Sequence, residues 1–265
     1  MYDLSRATLT RLTTPDSNSQ VAVWAPDGKH IAYRGTRAGF RDVYRIPTEG
    51  EGTEERLTMG EYIQTPSSWS RDGKWLAFTE AGTPATGRDI WVLPLEGEAL
   101  NAGPEARKPR VFLRTPANED NGVFSPDGHW LAYESNESGR YEVYVRPFPG
   151  PGSKVQISTQ GGIEPVWSRN GRELFYRSGD RMMAVEISSR RNSNGAFPSG
   201  FSASVPRLLF EGHYQYSGLV SSDYDVSKDG QRFLMVQSSG PEQTPTQIRV
   251  VLNWFTELQQ RVPLK

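Results

Sequence analysis

The stretch GVFSPDGHWLAY, residues 122–133, places a short polar turn between two apolar runs. In the turn, Pro126 presets φ at the first corner, Asp127 tolerates the second, and Gly128 can take the left-handed conformation that a three-residue hairpin needs. This stretch therefore predicts a tight antiparallel hairpin. Four further copies follow the same pattern: VAVWAPDGKHIAY (21–33), PSSWSRDGKWLAF (66–78), PVWSRNGRELFY (165–176) and YDVSKDGQRFLMV (224–236).

The copies recur at a nearly regular interval. Their turn glycines are 45, 55, 43 and 59 residues apart, at Gly28, Gly73, Gly128, Gly171 and Gly230. A period of about 40 to 50 residues with several short strands per unit is typical of a β-propeller blade. We predict an all-β chain of five four-stranded blades, at about 15–60, 61–114, 115–160, 161–211 and 212–252.

The outer strands of each unit follow its hairpin. Apolar and polar residues alternate at 42–46, 89–93 and 142–146, which predicts a third strand with two unlike faces. Shorter runs at 55–58, 110–113, 155–158 and 207–210 predict the fourth strands. The segments 96–109 and 188–206 are rich in Gly, Pro, Ser or Asn, and we predict that they are loops.

The two ends of the chain complement each other. Residues 8–13 resemble a fourth strand without a blade before it, whereas the last unit has strands at 223–226, 232–236 and 247–252 but no clear fourth strand. We predict that the N-terminal strand completes the last blade, which closes a single domain over 1–265 and removes open sheet edges. A six-bladed ring is the alternative. Asn253 can cap a short helix over 254–260, which would plug one end.

The repeat resembles the TolB-type propeller repeats of bacteria. The shared pattern is W-[SA]-[PR]-D-G-K-x-[IL]-A-[YF], followed by a third strand that begins D-[IV]-[WY]. The resemblance covers nearly the whole chain. The stretches YEVYVRPFPGPGSKVQIS and EPVWSRNGRELFYRSGDRMMAVEI are similar to propeller segments that follow kinase domains in some soil bacteria. The resemblance implies a propeller, but related blades serve as docking platforms, substrate filters or sensors. Function must therefore be argued from a site.

Composition narrows the class of protein. Thirty basic against 31 acidic residues, with an isoelectric point near 6.4, argue against nucleic acid or an anionic membrane as partner. The chain has no cysteine, which excludes disulfides and thiolate chemistry. Since MYDLSRATLT lacks the apolar core of a signal peptide, we expect a cytoplasmic protein, with the periplasm as the alternative in a larger parent protein. The closed sheet edges of the predicted ring favour a monomer.

Polar residues at the starts of the first strands predict a site at one mouth of the central channel. The relevant position lies three residues before the anchors Trp24, Trp69, Phe124, Trp167 and Val226. Around the ring it is occupied by Val21, Pro66, Asn121, Glu164 and Asp223. Oxygen ligands from three consecutive blades suit a hard cation, and we predict that Asn121, Glu164 and Asp223 bind Ca²⁺, with Mg²⁺ or Mn²⁺ as alternatives.

The predicted metal site resembles that of lactonase propellers of the gluconolactonase and paraoxonase kind. A calcium ion there would polarise an ester or lactone carbonyl. Asp120 or His213 would then act as general base, and Tyr62, Tyr214 and Tyr216 would wall the substrate pocket. The opposing interpretation is that Asn121, Glu164 and Asp223 bond backbone amides at blade junctions or face solvent.

These residues predict a calcium-dependent hydrolase of small esters or lactones. The alternative is a non-catalytic propeller that binds a peptide, a protein or a small ligand. A carbohydrate-acting propeller enzyme comes third, because the histidine-rich metal centre it would need is hard to build from three scattered histidines. The sequence also lacks Gly-x-Ser-x-Gly and His-Glu-x-x-His, the usual serine hydrolase and zinc protease patterns.

Overall fold

The structure is a computed structural model that describes residues 1–3, 6–13, 18–37, 39–49, 52–95, 108–189, 200–218 and 221–237. Within these residues all regular structure is β-strand. The described part of the chain therefore contains no helix that could cross a membrane. The chain begins with a two-stranded sheet, in which β1 (Tyr2–Asp3) pairs with β2 (Thr8–Leu9).

Three four-stranded antiparallel sheets follow in chain order, and we call them blades 1 to 3. Blade 1 contains β3 (Asn18–Trp24), β4 (His30–Arg37), β5 (Phe40–Pro47) and β6 (Glu55–Arg56). Blade 2 contains β7 (Ile63–Trp69), β8 (Trp75–Thr83), β9 (Gly87–Pro94) and β10 (Arg110–Leu113). Blade 3 contains β11 (Glu119–Phe124), β12 (Trp130–Ser135), β13 (Glu142–Pro147) and β14 (Val155–Gln156).

Blade 4 has five strands. These are β15 (Ile163–Trp167), β16 (Glu173–Ser178), β17 (Arg181–Ser189), β18 (Phe201–Ala203) and β19 (Arg207–Glu211). Both β18 and β19 pair with β17. Strand β19 pairs with residues 181–184 at the start of β17, and β18 pairs with residues 187–189 at its end. The prediction of a loop over 188–206 was therefore wrong for Ser188 and Ser189, which end β17, and for Phe201–Ala203. The ring of Phe201 packs 4.7 Å from that of Trp130, and this apolar contact fixes the segment against blade 3.

The described part of the chain ends with a hairpin of β20 (Tyr224–Val226) and β21 (Phe233–Met235). It is the beginning of the unit that was predicted as the fifth blade. The strand predicted at 247–252 and the helix predicted at 254–260 lie outside the described residues. For this reason the count of five blades and closure by residues 8–13 stay predictions.

The repeated turns form as predicted. In all five hairpins the turn glycine is left-handed, with φ between +66° at Gly28 and +74° at Gly73. Four hairpins also carry a serine that the sequence analysis did not single out. Ser125 shows its role, because its Oγ donates to Asp127 Oδ1 (2.6 Å) and accepts from Trp130 N (3.0 Å). These bonds satisfy the backbone donor at the start of the second strand.

Neighbouring blades bury apolar faces against each other. Leu76 and Phe78 of blade 2 pack with Ala32 and Val43 of blade 1, and similar clusters join blade 2 to 3, 3 to 4 and 4 to the last hairpin. The anchor tryptophans add polar contacts. Trp167 Nε1 donates to the carbonyl of Val123 at 3.1 Å, across the boundary between blades 3 and 4. The anchors therefore hold consecutive first strands in register.

Candidate functional site

The predicted ring positions coincide with irregularities in the first strands. Each of β3, β7, β11 and β15 shifts register around this position, for example between Asp120 and Val123 and between Ile163 and Val166. Val21, Asn121 and Glu164 have φ of 50°, 51° and 56°, in the left-handed region that non-glycine residues rarely occupy. Such a bulge re-aims a side chain and removes its backbone N–H from the ladder. Strained positions of this kind concentrate at functional sites.

A chain of hydrogen bonds links three of the predicted residues across blades. Glu134 Oε1, on β12, accepts from Asn121 Nδ2 at 3.1 Å and from the backbone N–H of Glu164 at 2.8 Å. Glu164 Oε1 then accepts from the backbone N–H of Asp223 at 3.0 Å. The path runs from blade 3 through blade 4 to the last hairpin. Of the predicted ligands, Glu164 thus bonds a backbone amide of the next unit, whereas the amide of Asn121 donates to the carboxylate of Glu134.

Two arginines flank the carboxylates. Arg88 Nη1, from blade 2, lies 2.8 Å from Asp120 Oδ2, and the hydroxyl of Tyr141 donates to the same oxygen at 3.4 Å. Arg177 Nη1 lies 3.4 Å from Glu164 Oε2. It also donates to the backbone carbonyl of Gln215 at 2.9 Å. We call Asp120, Glu134, Glu164, Arg88 and Arg177 the rim cluster.

The carboxylates of the rim cluster are almost completely buried. Asp120 is 3% exposed, Glu134 7% and Glu164 1%. Burial, with a smaller contribution from the negative charge of Asp120, raises the pKa of Glu134 to about 8. Burial likewise raises the pKa of Glu164 to about 7 and the pKa of Asp120, against the opposing effect of Arg88. Low-dielectric surroundings disfavour the charged forms, so the cluster has a high affinity for positive charge or protons.

The predicted calcium ligands do not form a ligand set that fits the ion. Both oxygens of Asp223 accept from Ser217, from its backbone N–H at 2.5 Å and its hydroxyl at 2.8 Å. Those of Glu164 accept from Asp223 and Arg177. Among the described residues, no group of three or more His, Cys, Asp or Glu side chains could hold a metal ion. A calcium ion requires six to eight oxygen ligands.

The predicted general bases differ in position. Asp120 belongs to the rim cluster, but His213 is exposed, and its Nδ1 lies 3.0 Å from Asp180 Oδ2 beside the turn between β16 and β17. His213 was predicted in a connection that shares the rim with the strand starts, and the sequence could not show that Asp180 would engage it. His213 is thus exposed and paired with Asp180 outside the rim cluster, and its role as general base stays a prediction.

The three predicted pocket tyrosines do not form one wall. Tyr62 is half-buried and lies beside Gly82 at the end of β8. Tyr214 packs edge-on against Phe210, with ring centres 6.1 Å apart. Tyr214 is joined to the rim cluster by its backbone carbonyl, which accepts from Arg177 Nη2 at 3.1 Å. Tyr216 is joined to it by its ring. Its ring centre lies 5.9 Å from the guanidinium carbon of Arg177, and 52% of its surface is exposed.

Comparison with known proteins supports the architecture. No family model matches the chain. The structure is similar to that of a putative TolB from Agrobacterium tumefaciens, with a TM-score of 0.59 and 18% identity over 86% of this chain and 78% of that one. It is also similar to TolB from Acinetobacter baumannii, with a TM-score of 0.58 and 19% identity over 82% of this chain and 48% of that one.

An uncharacterized protein of Agrobacterium fabrum is 33% identical over 175 residues, which are 63% of this chain and 57% of that protein. The chain thus spans just over half the length of this relative. The antiparallel four-stranded sheets and the solved neighbours together define the class of fold. This chain has a β-propeller fold similar to that of the TolB structures. Its similarity to propellers that follow kinase domains stays a prediction.

Proposed function

We propose that this chain is a non-catalytic binding propeller, which holds a peptide or a segment of a protein over the rim cluster. The main support comes from the hydrogen bonds of Glu134 and Glu164. Each accepts the backbone N–H of the next unit, from Glu164 and Asp223 respectively. Carboxylates that join blades in this way are poorly suited to act as metal ligands or bases during turnover. They are well suited to hold a rigid binding surface.

The surface beside the rim cluster has the chemistry of an interface. The ring of Tyr216 is half exposed, and the side chain of Arg88 is 39% exposed next to buried Asp120. Tyrosine and arginine are enriched at the energetic centres of protein interfaces. Both side chains are held by buried groups, which reduces the entropy lost when a ligand binds.

A peptide array tests this proposal. Purified wild-type chain would be applied to octapeptides with blocked termini, and hits measured by fluorescence polarisation. We expect binders whose affinity falls about tenfold or more in Tyr216→Ala. Leu208→Ala is the matched control, since Leu208 is similarly exposed on outer strand β19. No binder in the array, or equal binding by Tyr216→Ala, contradicts the proposal.

The calcium-dependent hydrolase of esters or lactones is the second candidate. What favours it is the raised pKa of Glu134, Glu164 and Asp120, since a site that attracts protons also attracts cations. Melting with calcium, magnesium, manganese or EDTA tests it, because an ion that binds only the folded chain raises the melting temperature. We expect no change. A rise with calcium that Glu164→Gln abolishes, together with calcium-dependent ester cleavage, would favour the hydrolase over the binding propeller.

We also propose that five blades close into a ring through residues 8–13. Leu12 packs against Ile31, Tyr33, Tyr44 and Ile46, which alternate with the residues that face blade 2. The N-terminal segment therefore covers the face of blade 1 that a last blade would cover. The chain has no cysteine, so Leu9→Cys can be combined with single cysteines at 248 to 251. A disulfide in one pair supports closure, and none in any pair contradicts it.

A further inference from the structure

An arginine of blade 1 lies at the same mouth of the channel as the rim cluster. Arg34 on β4 stands ten residues after the anchor of its blade, the position that Glu134 and Arg177 occupy in blades 3 and 4. The strand register agrees. Arg34 pairs with Gln20 immediately before the bulge of β3, and Glu134 pairs with Asp120 immediately before the bulge of β11. Because blades repeat radially around the channel, equivalent positions lie at one mouth.

The guanidinium of Arg34 is held by neutral groups. Its Nη1 donates to Thr65 Oγ1 of blade 2 at 3.1 Å, and its Nη2 donates to Gln20 Oε1. In the described part of the chain no carboxylate pairs with Arg34, whereas Arg88 and Arg177 both pair with carboxylates of the rim cluster. Arg34 is partly exposed to solvent. A guanidinium has five N–H donors, so some remain for a ligand.

A second arginine shares this face of blade 1. Arg41 of β5 lies directly opposite Thr36, which follows Arg34 by two residues on β4. Since side chains alternate along a strand and opposite residues share a face, Arg34 and Arg41 are diagonal neighbours on one face. Arg41 is exposed and makes no hydrogen bond or ion pair with its side chain among the described residues. We call Arg34 and Arg41 the arginine pair.

The positive charge of the arginine pair is not neutralised locally. The acidic side chains nearby in blade 1 are engaged elsewhere, Asp42 with Arg56 and Glu54 with Arg37. Burial and the positive charge of Arg41 lower the pKa of Arg34. Two like charges on one partly buried face repel each other, and an anion that contacts both relieves this repulsion.

We infer that the arginine pair binds a carboxylate of the peptide, on the side of the channel mouth that blades 1 and 2 form. The inference rests on the proposed function and names one group of its ligand. An acidic side chain and a free C-terminus both carry this group. The planar donors of a guanidinium match the two oxygens of a carboxylate, and a cationic group would be repelled.

The test uses three peptides of otherwise identical sequence, Gly-Ser-Gly-X-Tyr-Gly-Ser-Gly with both termini blocked, where X is glutamate, glutamine or lysine. A fourth, with glutamine at X and a free C-terminal carboxylate, separates the terminus from a side chain. Affinities for the purified chain would be measured by fluorescence polarisation. We expect the glutamate or the free-carboxylate peptide to bind about tenfold more tightly than the blocked glutamine peptide, its neutral counterpart. Preference for the free carboxylate alone supports the inference with the terminus as source.

Variants locate the site. Arg41→Gln removes an exposed side chain without bonds, so it should leave the melting temperature unchanged and reduce the carboxylate preference to about threefold or less. Arg34→Gln should abolish the preference. The control is Arg172→Gln, which removes the same charge from an exposed residue after the turn of blade 4, at the opposite end of the hairpin. It should leave the preference unchanged. If Arg34→Gln does not fold, Arg41→Gln decides the test.

The failures are distinguishable. Equal or tighter binding of the blocked glutamine or lysine peptide overturns the inference, while the binding propeller stands. An unchanged carboxylate preference in folded Arg41→Gln also overturns it, and so does a failure of all four peptides when the octapeptide array yields binders. If the array yields no binder and none of the four peptides binds, the proposed function fails, and the inference fails with it.

Discussion

Replacing Glu134 with glutamine isolates the effect of one buried charge on stability. Glu134 Oε1 accepts from Asn121 Nδ2 and from Glu164 N. A glutamine oxygen can accept both bonds, and the side chain has nearly the same shape. The substitution therefore keeps the contact between blades 3 and 4 and removes the group that titrates.

The expected pH dependence follows from the direction of the pKa shift. The pKa of Glu134 is raised from 4.5 to about 8, mainly by burial. Between these values the folded chain holds a proton that the unfolded chain has released, so the free energy of unfolding falls as pH rises. For one proton the slope is about 1.4 kcal/mol per pH unit. From pH 5.5 to 7.5 the titration of Glu134 alone should lower the free energy of unfolding of the wild type by about 2 to 3 kcal/mol.

Glu164 acts in the same direction. Burial raises its pKa to about 7, so its contribution is also largest at low pH and is lost as pH rises through that value. The negative charge of Glu164 also makes a small contribution to the raised pKa of Glu134. We therefore expect Glu134→Gln to remove somewhat more than half of the pH dependence between pH 5.5 and 7.5, and the titration of Glu164 to account for the remainder.

Urea unfolding at pH 5.5, 6.5 and 7.5, followed by tryptophan fluorescence, measures these quantities. The difference in free energy of unfolding between Glu134→Gln and the wild type should shift in favour of Glu134→Gln by about 2 to 3 kcal/mol from pH 5.5 to pH 7.5. Glu55→Gln, which removes an exposed charge, should parallel the wild type. A wild-type stability that is flat or rises with pH, or a Glu134→Gln curve parallel to the wild type, would refute the reasoning.

Three further substitutions test the repeated elements. Ser125→Ala should lower the free energy of unfolding in urea by about 1 to 2 kcal/mol, because it leaves the backbone N–H of Trp130 without its acceptor. The control Ser138→Ala, at an exposed serine, should cost less than about 0.5 kcal/mol, and equal effects of the two substitutions would contradict this reasoning. In Gly128→Ala the added Cβ meets no atom within 4 Å, so the substitution should cost only the backbone strain of an alanine at φ +72°, about 1 kcal/mol of stability by calorimetry. An unchanged stability would exclude that strain. Trp167→Phe removes a hydrogen bond between blades 3 and 4 and part of a buried ring, and should lower the free energy of unfolding in guanidinium by about 1 to 3 kcal/mol. An unchanged unfolding midpoint would show that Trp167 does not stabilise this boundary.

Much of the fold could be predicted from the sequence because its signals are local. The turn at Gly128 is read from four consecutive residues, and the third strand at Glu142–Pro147 from simple alternation. The strand Phe201–Ala203 was missed because it is too short to show alternation. It forms because Phe201 finds a partner in Trp130, about 70 residues earlier in the chain.

The candidate site was predicted in part. The neighbourhood of Asn121, Glu164 and Asp223 follows from equivalent positions in successive blades, and the structure joins them through Glu134. Glu134 itself was missed, as was Arg177. Both lie ten residues after the anchor of their blade, at the end of an apolar second strand, in LAYES and LFYRS. A charge that interrupts such a strand was the signal that could have found them.

The sequence by itself determined the blades, because turn chemistry and alternation act over a few residues and repeat along the chain. It also determined which residue types stand at the strand starts. Tertiary structure decided what those residues do. Whether a carboxylate meets an arginine, a backbone amide or no partner depends on side chains from several blades, and Asp120 meets Arg88 from blade 2 and Tyr141 from blade 3. Such pairings depend on distances of a few ångströms between segments far apart in the chain, and electrostatic energies in a buried site vary steeply over such distances.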